Sequence, residues 1–364
     1  NSYHPTFTWT HDQTDGIIEE LKKSELNVQI YTEHMDWKNF PTKENLDNLY
    51  TSYKSKYKNS QLDIIITTDD IALEFALENR GGIFPNVPIV FSGVNEEGQS
   101  LLISDRKNIT GVIESIDLQE TIDMALQINP STKEFYIVYD QTESGQSTYI
   151  LVANIIESLD RDIRLIQGTN KSHKQILEDI NSLRDNSAVL ITTHYMDSEG
   201  AVLEFEEFCQ KASEISQVPV FHMYDMTVGY GNIGGSMISG RAHGAQAGEL
   251  AVRILNGEKA DDIGFITAVA MRRVFDYSQL KKFNIPMDRI HSDIEVINKP
   301  FSFIETYKNL VITVIAIAVV LMTFILILLL YINKVKTMRN QLQHSYEELT
   351  QTYEELAATD EELQ

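Results

Sequence analysis

Short apolar runs alternate with longer amphipathic segments through roughly the first 260 residues of the chain. Apolar runs rich in β-branched residues predict strands, whereas an apolar period of about 3.6 residues predicts helices. The predicted strands are residues 28–31, 62–68, 88–94, 134–139, 163–167, 188–193 and 219–223. The predicted helices are residues 12–24, 43–57, 71–78, 118–128, 145–159, 173–183 and 199–216. This alternation predicts βαβ units and an α/β fold with parallel sheets.

The series of elements is too long for one compact sheet, and a turn signal divides it. Residues 129–131, Asn-Pro-Ser, follow a predicted helix, and the strand pattern restarts at Glu134. We therefore expect one sheet that ends at Val94 and a second that ends at Met223. Two such lobes enclose a cleft, and ligands of open α/β sheets bind beyond the carboxyl ends of the strands.

The residues after the predicted strands are small and polar in both halves of the series. Hydroxyls and free N–H groups at helix starts suit a carboxylate or a phosphate. Asp69 and Asp225 are candidate partners of a ligand ammonium, and Trp9, Tyr195 and Tyr224 are candidates for stacking on an apolar ligand. The candidate ligand-binding residues are Trp9, Thr68, Asp69, Ser92, Gly93, Asn95, Asp140, Thr142, Ser144, Gly145, His194, Tyr195 and Asp225.

Each of these positions also has a purely structural interpretation. Asp, Ser, Thr and Asn after a strand are ordinary helix N-caps. Asp70 precedes the helical segment IALEFALEN directly and is the better candidate for a cap, which leaves Asp69 for the cleft. Trp9 fits ligand stacking and packing on the lobe surface equally well.

Residues 310–332 form an apolar run with no charged residue between Asn309 and Asn333. A bilayer core needs about 20 such residues in a helix. Lys334, Lys336 and Arg339 follow the run, and Lys308 alone precedes it, so the positive-inside rule places the C-terminus in the cytoplasm. We expect a cell-membrane protein with a span over residues 309–332 and with residues 1–308 outside the cytoplasm.

Beyond the span, residues 333–364 carry a heptad repeat that predicts a cytoplasmic coiled coil. Apolar residues recur every seven positions, and the sequence YEEL occurs twice at that spacing. Arg339 and Asp360 stand at alternate core positions and weaken the core, so a single solvated helix is the alternative. We expect a homodimeric signalling helix that continues into a PAS, kinase or cyclase region. A signal sequence or a first membrane span is expected before Asn1.

The composition excludes several classes of function. A net charge of −23 argues against nucleic-acid binding, which needs basic patches. The single cysteine, Cys209, forms no intrachain disulfide, and the scattered histidines show no metal-ligand spacing. The G-x-G-x-x-G string at 229–234 lies at the end of the α/β series, where it favours a hinge or cleft-rim loop. We expect no metal, no cofactor and no catalytic residues in this part of the protein.

Several separated phrases give the chain a family resemblance. They are NSYHPTFTW, YTEHMDWKNFP, DIIITTDDIALEF, FPNVPIVFSGVN, YIVYDQTESGQ and IGGSMISGRAHGAQAGELAVRILNGEKADDI, followed by FDYSQLKKFNIP and INKPFSFIETY. Through about residue 307 the chain resembles the type I periplasmic binding proteins. It is most similar to their ABC-transporter substrate-binding branch, which also serves as the sensor region of membrane-bound histidine kinases and diguanylate cyclases.

The resemblance implies two Rossmann-like lobes with three crossovers that close on a small ligand, with an amino-acid-like ligand plausible. It implies lobe 1 at residues 1–115 plus about 237–264, lobe 2 at 116–236 plus about 265–277, and a linker at 278–308. The helix at 241–256 is expected to return to lobe 1, with residues 265–274 crossing again. The family's first strand begins before NSYH, so we expect that strand upstream of Asn1 and lower stability without it.

Together these features predict the extracytoplasmic sensor of a transmembrane receptor, whose full-length protein could be a histidine kinase or diguanylate cyclase. Lobe closure would then signal through the membrane helix. The alternative is a membrane-tethered substrate-binding component of an ABC transporter, and an extracytoplasmic enzyme is a third interpretation. The expected partners are a small-molecule ligand, the membrane and a second copy of the chain, and nucleic acid is not expected.

Overall fold

The computed structural model describes residues 1–95, 107–267, 271–301 and 303–362. Contacts divide the chain into two compact units, Asn1–Lys299 and Pro300–Gln364. The first unit has strands β1 (Ile65–Thr68), β2 (Ile89–Val94), β3 (Ile109–Ile113), β4 (Glu134–Val138), β5 (Arg164–Gly168), β6 (Ser187–Ile191), β7 (Val220–His222), β8 (Gly234–Met237), β9 (Arg272–Asp276) and β10 (Glu295–Ile297). Its helices are α1 (Thr8–Lys23), α2 (Lys43–Lys56), α3 (Asp69–Ile83), α4 (Gln119–Ile128), α5 (Glu143–Ser158), α6 (His173–Ser182), α7 (Phe205–Ile215), α8 (Gly240–Leu255) and α9 (Tyr277–Lys282). The predicted α/β class is confirmed.

The described strands form three sheets. The first has the order β1-β2-β3 and the second the order β5-β4-β6-β7, and all strand pairs in both are parallel. The third has the order β10-β9-β8, with β8 antiparallel to β9. In the first sheet Thr68 pairs with Ser92. The residues that follow this pair, Asp69 and Gly93, therefore lie side by side at the carboxyl edge of the sheet.

Helices cover both faces of the first sheet, which explains why its strands read as continuous apolar runs. Ile17 of α1 and Leu250 of α8 pack with Val90 on one face. Leu73 of α3 packs with Phe91 on the other face. Full burial of a side chain of this size contributes about 1.5–3 kcal/mol, and these pairs fix the positions of α1 and α3 at the sheet edge.

Helices α1 and α8 approach each other unusually closely because each has a glycine at the contact. A Cβ on Gly244 would overlap the main chain of Gln13, and a Cβ on Gly16 would overlap the carbonyl oxygen of Arg241. Only glycine permits such an approach between two backbones. The close packing fixes α1, which carries Trp9 and Gln13, above the carboxyl edge of the first sheet.

The strand predicted at residues 28–31 is wrong. The segment is extended, but it pairs with no strand in the described part of the chain. Residues 28–31 and β1 both line a cavity of about 860 Å³, and β1 pairs with no described strand other than β2.

The predicted helix at 199–216 begins later, at Phe205. The reason is Asp197, whose carboxylate accepts hydrogen bonds from the main-chain N–H groups of Glu199 and Ala201, both at 2.9 Å. Such local side-chain bonds favour a turn over a helix. Strands β3, β8, β9 and β10 are absent from the predicted strands, although the predicted crossing segment at 265–274 overlaps β9. Two of the four residues of β8 are glycine, and β10 is only three residues long.

The second unit consists of α10 (Phe303–Thr306) and the long helix α11 (Lys308–Glu362). By length and composition alone, the stretch Lys308–Ala358 could cross a membrane, with a mean hydropathy of 3.2 in its most apolar 18-residue window and none of that window buried. A continuous helix through the predicted span is thus confirmed. Leu363 of the heptad pattern and residues 268–270 of the predicted crossing segment lie outside the described residues.

Candidate ligand-binding cleft

Residues that follow the strands of both main sheets meet at one place, which we call the cleft. The indole ring of Trp9 lies 5.5 Å from the ring of Tyr224, which follows β7. The Tyr224 ring stacks on Phe205 at 5.5 Å, and Phe205 contacts Tyr195, which follows β6, at 6.3 Å. Since Trp9 also contacts Asp69 after β1, the strand ends of the two sheets face a common aromatic region.

On the first sheet, five residues form a polar group that we call the Asp69 cluster. The indole N–H of Trp9 donates a hydrogen bond of 2.8 Å to Asp69 Oδ1, and Gln13 Nε2 donates one of 3.2 Å to the same oxygen. The hydroxyl of Ser92 donates to Gln13 Oε1 at 2.6 Å. Gly93 completes the cluster beside these groups. Trp9, Asp69, Ser92 and Gly93 were predicted to bind ligand, and the structure brings them together.

The second oxygen of Asp69, Oδ2, is buried and has no hydrogen-bond partner among the described residues. The whole side chain is only 4% exposed. Burial, reinforced by the neighbouring charge of Asp70, raises the pKa of Asp69 to about 7. A buried carboxylate oxygen without a partner is unfavourable unless a cation or a donor reaches it. This oxygen is therefore available to a donor brought by a ligand.

Backbone geometry at the Asp69 cluster is also strained. Asp69 has a φ of 64°, in the left-handed region that residues other than glycine, asparagine and aspartate rarely adopt. Gly93 has a φ of 67°, and a Cβ there would lie 3.1 Å from Gln13 Oε1 and 3.2 Å from Asp69 Oδ1. Strain of this kind concentrates at binding and active sites. It also explains why Asp69, and not only Asp70, turns toward the cleft.

Sequence reasoning missed a second acidic group in the cleft, Glu114. It follows β3, a strand that was not predicted, and accepts a hydrogen bond of 3.4 Å from the hydroxyl of Tyr224. Burial raises the pKa of Glu114 to about 8, with further contributions from the charges of Asp69 and Asp70. The interior of the cleft is thus rich in carboxyl groups, which favours a cationic group in a ligand.

On the second sheet, the corresponding residues form hydrogen bonds with one another. Asp140 Oδ1 accepts hydrogen bonds from both the main-chain N–H and the hydroxyl of Thr142, and Oδ2 accepts one of 3.1 Å from the main-chain N–H of Tyr195. Thr142 caps α5 through a 3.1 Å bond from the N–H of Gly145. In this structure Asp140 and Thr142 brace the loops that carry the rings.

Three other predicted residues, Thr68, Asn95 and Ser144, lie outside the Asp69 cluster. The carbonyl oxygen of Thr68 accepts a 2.6 Å hydrogen bond from the hydroxyl of Ser2, and the N–H of Asn95 donates to Asp70 Oδ1 at 3.3 Å. Ser144 lies in the first turn of α5 and is half-buried. These contacts place Thr68 and Asn95 at the cleft margin and give neither side chain an evident ligand role.

Two predicted residues point away from the Asp69 cluster. The ring of His194 lies 5.2 Å from His173 and 4.9 Å from Phe208, and it is 2% exposed in the core beside the second sheet. Burial lowers the pKa of His194 to about 4. Asp225 has an ion-pair partner, since its Oδ2 lies 3.6 Å from Nη1 of Arg272. Asp69 is therefore the better partner for a ligand ammonium than Asp225.

No cluster of three or more His, Cys, Asp or Glu residues suited to a metal ion occurs in the described parts of the chain. The Asp69 cluster itself has one carboxylate, one amide, one hydroxyl and one indole N–H, which is a poor ligand set for a divalent cation. An organic ammonium needs only hydrogen-bond acceptors and aromatic faces. The cleft therefore suits an organic ligand with a positively charged group and an apolar part.

A family comparison agrees with this chemistry. The profile of the ABC transporter substrate binding protein family matches residues 7–292. The chain belongs to this family. Its predicted identification as a type I periplasmic binding protein is thereby confirmed, and the match covers the α/β region through α9 but not β10 or α11.

Individual relatives are distant in sequence and close in fold. The Tyrosine-binding protein of Clostridioides difficile (strain R20291) is 19% identical over 259 residues, which are 66% of this chain and 72% of that protein. A ligand-free, open substrate binding protein with adhesive properties from Clostridium difficile has a TM-score of 0.59 at 16% identity, covering 82% of this chain and 97% of the other. An ABC domain from Streptococcus pneumonia in complex with L-Trp has a TM-score of 0.57 at 16% identity, with 81% and 97% covered. These structural likenesses establish the fold.

The comparisons also bear on the two roles predicted from the sequence. The matching family serves ABC transporters, which favours the substrate-binding alternative over the receptor sensor. The two-lobed α/β fold is confirmed by the solved structures. The sensor role, the homodimer and the lobe boundaries remain predictions.

Proposed function

We propose that this protein binds an aromatic α-amino acid outside the cytoplasm and delivers it to an ABC transporter while tethered to the membrane by α11. The observation that carries the ligand proposal is Asp69 Oδ2, a buried carboxylate oxygen without a partner, beside the ring of Trp9. The oxygen accepts a hydrogen bond from the ligand ammonium, and the rings of the cleft contact the ligand side chain.

The named ligands of two relatives support this choice. One relative is a tyrosine-binding protein, and another was solved with L-Trp. The rings of Trp9, Phe205 and Tyr224 form a continuous aromatic surface beside Asp69. Such a surface suits an aromatic side chain, for which offset and edge contacts add about 0.5–1.5 kcal/mol each.

The tether follows from the charge distribution around α11. Lys334, Lys336 and Arg339 follow the apolar segment, which supports a cytoplasmic position for that end and an external position for the binding unit. We propose lobe 1 at residues 1–115 plus about 237–264 and lobe 2 at 116–236 plus about 265–277. The lobes close on the ligand, and residues 278–308 connect them to the membrane.

A second candidate role, the sensor of a signalling receptor, rests on a specific observation. The helix α11 continues beyond the apolar segment to Glu362, and this extension carries heptad-spaced apolar residues. Delivery of a solute does not require such an extension, whereas a dimeric transmitter does. In that role the ligand must bind the open and closed lobes with unequal affinity to shift the equilibrium.

Calorimetric titration of the purified chain with each of the twenty standard amino acids tests the ligand proposal. We expect binding of L-tyrosine, L-tryptophan or L-phenylalanine, and at least about tenfold weaker binding of aliphatic and acidic amino acids. Titration with the corresponding amino alcohols, which keep the ammonium, serves as a comparison. Failure of every aromatic amino acid to bind would contradict the proposed function.

Uptake in cells distinguishes delivery from sensing. Deletion of the gene, followed by complementation with a chain that ends at Asn340, removes Leu342, Leu349 and Leu356 of the heptad extension and keeps the tether with its basic residues Lys334, Lys336 and Arg339. Delivery predicts that uptake of the labelled amino acid is lost on deletion and restored by the shortened chain. Sensing predicts that uptake does not require the protein directly and that the shortened chain restores no ligand-dependent response.

A further inference from the structure

Lys38 occupies an aromatic cage in the cleft. Its Nζ lies 3.5 Å from the ring centroid of Phe7 and 3.9 Å from that of Tyr195, with the rings of Tyr3 and Phe205 at 5.1 Å and 5.5 Å. Tyr195 and Phe205 follow strands of the second sheet, whereas Phe7 directly precedes α1. The ammonium therefore lies between groups that belong to the two sides of the cleft.

A tight turn holds Lys38 in this position. The N–H groups of Asn39 and Phe40 both donate to the carbonyl oxygen of Asp36, and the side-chain amide of Asn39 donates to Asp36 Oδ1 at 2.7 Å. Asp36 has a φ of 53°, which reverses the chain direction at this point. The position of the lysine is thus fixed by its main chain as well as by its ring contacts.

Although Lys38 is charged, it forms no hydrogen bond or ion pair with any residue that the structure describes. Burial lowers the pKa of Lys38 to about 8, against the opposing influence of Glu204, Asp69, Glu206 and Asp140 at longer range. Contacts with aromatic faces stabilise an ammonium by about 0.5–2 kcal/mol.

The cleft thus holds two charges of opposite sign that lack a direct partner, Asp69 Oδ2 and Lys38 Nζ. Tyr3 is near both: its ring is 5.1 Å from Lys38 Nζ, and the charge of Asp69 contributes to the raised pKa of its hydroxyl. Were the two side chains paired with each other, the cleft would need no charged ligand. Because they do not pair with each other, each can meet one charge of a ligand that carries a cation and an anion.

We propose that Lys38 binds the carboxylate of the ligand while Asp69 binds its ammonium, so that the cleft selects a zwitterionic α-amino acid over the corresponding amine. This inference rests on the proposed function and adds a specificity-determining residue to it. A charged hydrogen bond to the ligand completes the environment of the lysine, and Phe7 and Tyr195 keep the ammonium oriented toward the cleft.

The inference is tested by measuring how the Lys38→Met variant binds each amino acid and the amine that corresponds to it. Methionine keeps the apolar stem of the side chain and removes the charge. L-tyrosine and L-tryptophan contain both charged groups, whereas tyramine and tryptamine lack the carboxylate. We expect Lys38→Met to weaken binding of the amino acids at least about tenfold and binding of the amines less than about threefold. Asp69→Asn should weaken both kinds of ligand.

Lys54→Met is the matched control. Lys54 also lies over a tyrosine ring, 5.1 Å from the centroid of Tyr50, and its Nζ donates to the Tyr50 hydroxyl at 3.0 Å, but it is exposed on α2. We expect this variant to bind all four ligands as the wild-type chain does. Thermal unfolding of each variant checks that the fold is retained, and Lys38→Gln serves as a second variant if methionine disturbs it.

The outcomes separate the competing interpretations. Equal weakening of amino acids and amines by Lys38→Met would overturn the inference, since the lysine would then act on the structure of the cleft. Tighter binding of the amino acids would also overturn it, because Lys38 would be a built-in competitor for the aromatic cage. If the wild-type chain binds amines but no amino acid, the inference fails while an ammonium site remains. If it binds neither, the proposed function itself is contradicted.

Discussion

The two sides of the cleft have similar residues after their strands, but these residues differ in the number of hydrogen bonds that they accept. On the second sheet, Asp140 accepts three hydrogen bonds from neighbouring loop groups. On the first sheet, Asp69 accepts two hydrogen bonds at one oxygen and leaves the other buried without a partner among the described residues. Both carboxylates are almost fully buried, so exposure does not distinguish them.

The difference shows how a ligand contact can be recognised among helix caps and loop braces. A saturated carboxylate stabilises the fold and has little capacity left for a ligand. A carboxylate that is buried, strained in its backbone and only partly satisfied destabilises the ligand-free protein. Such a residue persists where another molecule completes its hydrogen bonds, which is the role we propose for Asp69.

The largest expected effect is that of Asp69→Asn, which removes the charge and keeps a residue that tolerates a positive φ. Hydrogen bonds to charged groups contribute about 1.5–3 kcal/mol, so affinity for the amino acid should fall by at least about tenfold. Stability of the ligand-free chain should stay the same or rise, because a buried charge is lost. Calorimetric titration and thermal unfolding measure the two effects.

Asp140→Asn is the counterpart on the other side of the cleft. It replaces one of the two acceptor oxygens by an NH2 donor, so either Thr142 or Tyr195 loses its acceptor, and we expect a loss of stability with a smaller change in affinity than that of Asp69→Asn. Similar affinity losses in both variants, with no difference in stability, would remove the distinction between the two sides.

The second prediction concerns pH. The pKa of Asp69 is raised to about 7, chiefly by burial, and the ionised form binds the ligand ammonium. Affinity should therefore fall by up to about tenfold per pH unit below pH 7. Asp69→Asn should flatten this part of the profile, whereas an unchanged slope in that variant would assign the titration to another group, such as Glu114 with its pKa of about 8.

The same shift changes the stability of the ligand-free protein with a defined sign. Because the pKa of Asp69 is higher in the folded chain than the ordinary value of 3.8, the folded state binds the proton more tightly. The resulting contribution to stability is fully present below about pH 4 and is lost as the pH rises to about 7. Unfolding by denaturant over this range, with Asp69→Asn as the control, measures it.

The third prediction separates backbone strain from site geometry. Gly93→Ala strains a residue with a φ of 67° and brings a Cβ within 3.2 Å of Asp69 Oδ1, so it should lower both stability and affinity. Gly200→Ala strains a residue with a φ of 79° where nothing lies within 4 Å. It should lower stability alone, by about 1–2 kcal/mol. Equal affinities in the two variants would contradict the placement of Gly93 beside the ligand.

The smallest effect is expected for Thr142→Ala. Loss of this N-cap should lower stability by about 1 kcal/mol and leave affinity within about twofold. Ser172→Ala removes the comparable cap of α6, which forms a capping box with Gln175. The two variants should behave alike in denaturant unfolding. A large affinity loss in Thr142→Ala alone would return Thr142 to the set of ligand contacts.

The sequence predicts the α/β architecture well because buried parallel strands appear as uninterrupted β-branched runs. The prediction is wrong at residues 28–31, where a strand-like run pairs with no described strand. It misses β8, because glycine is not typical of strands. Pairing is a tertiary property, and local composition does not determine it.

The same distinction between local and tertiary signals applies to the residues of the candidate site. Asp69, Ser92 and Trp9 could be predicted because they lie at strand ends or in the first turn of a helix. Gln13 reaches the cleft from the interior of α1, and Lys38 reaches it from a turn. Their roles depend on how α1 packs against α8 and on where the turn at Asp36 places its side chains, and neither feature has a local signal in the sequence.

The most direct test of the account is a crystal structure of the protein with L-tyrosine or L-tryptophan bound. We predict that the ligand nitrogen lies within about 3.2 Å of Asp69 Oδ2, the hydrogen-bonding range for N–H donors. A ligand bound elsewhere, or one whose nitrogen contacts Asp140 or Asp225 while Asp69 Oδ2 stays without a partner, would contradict the account.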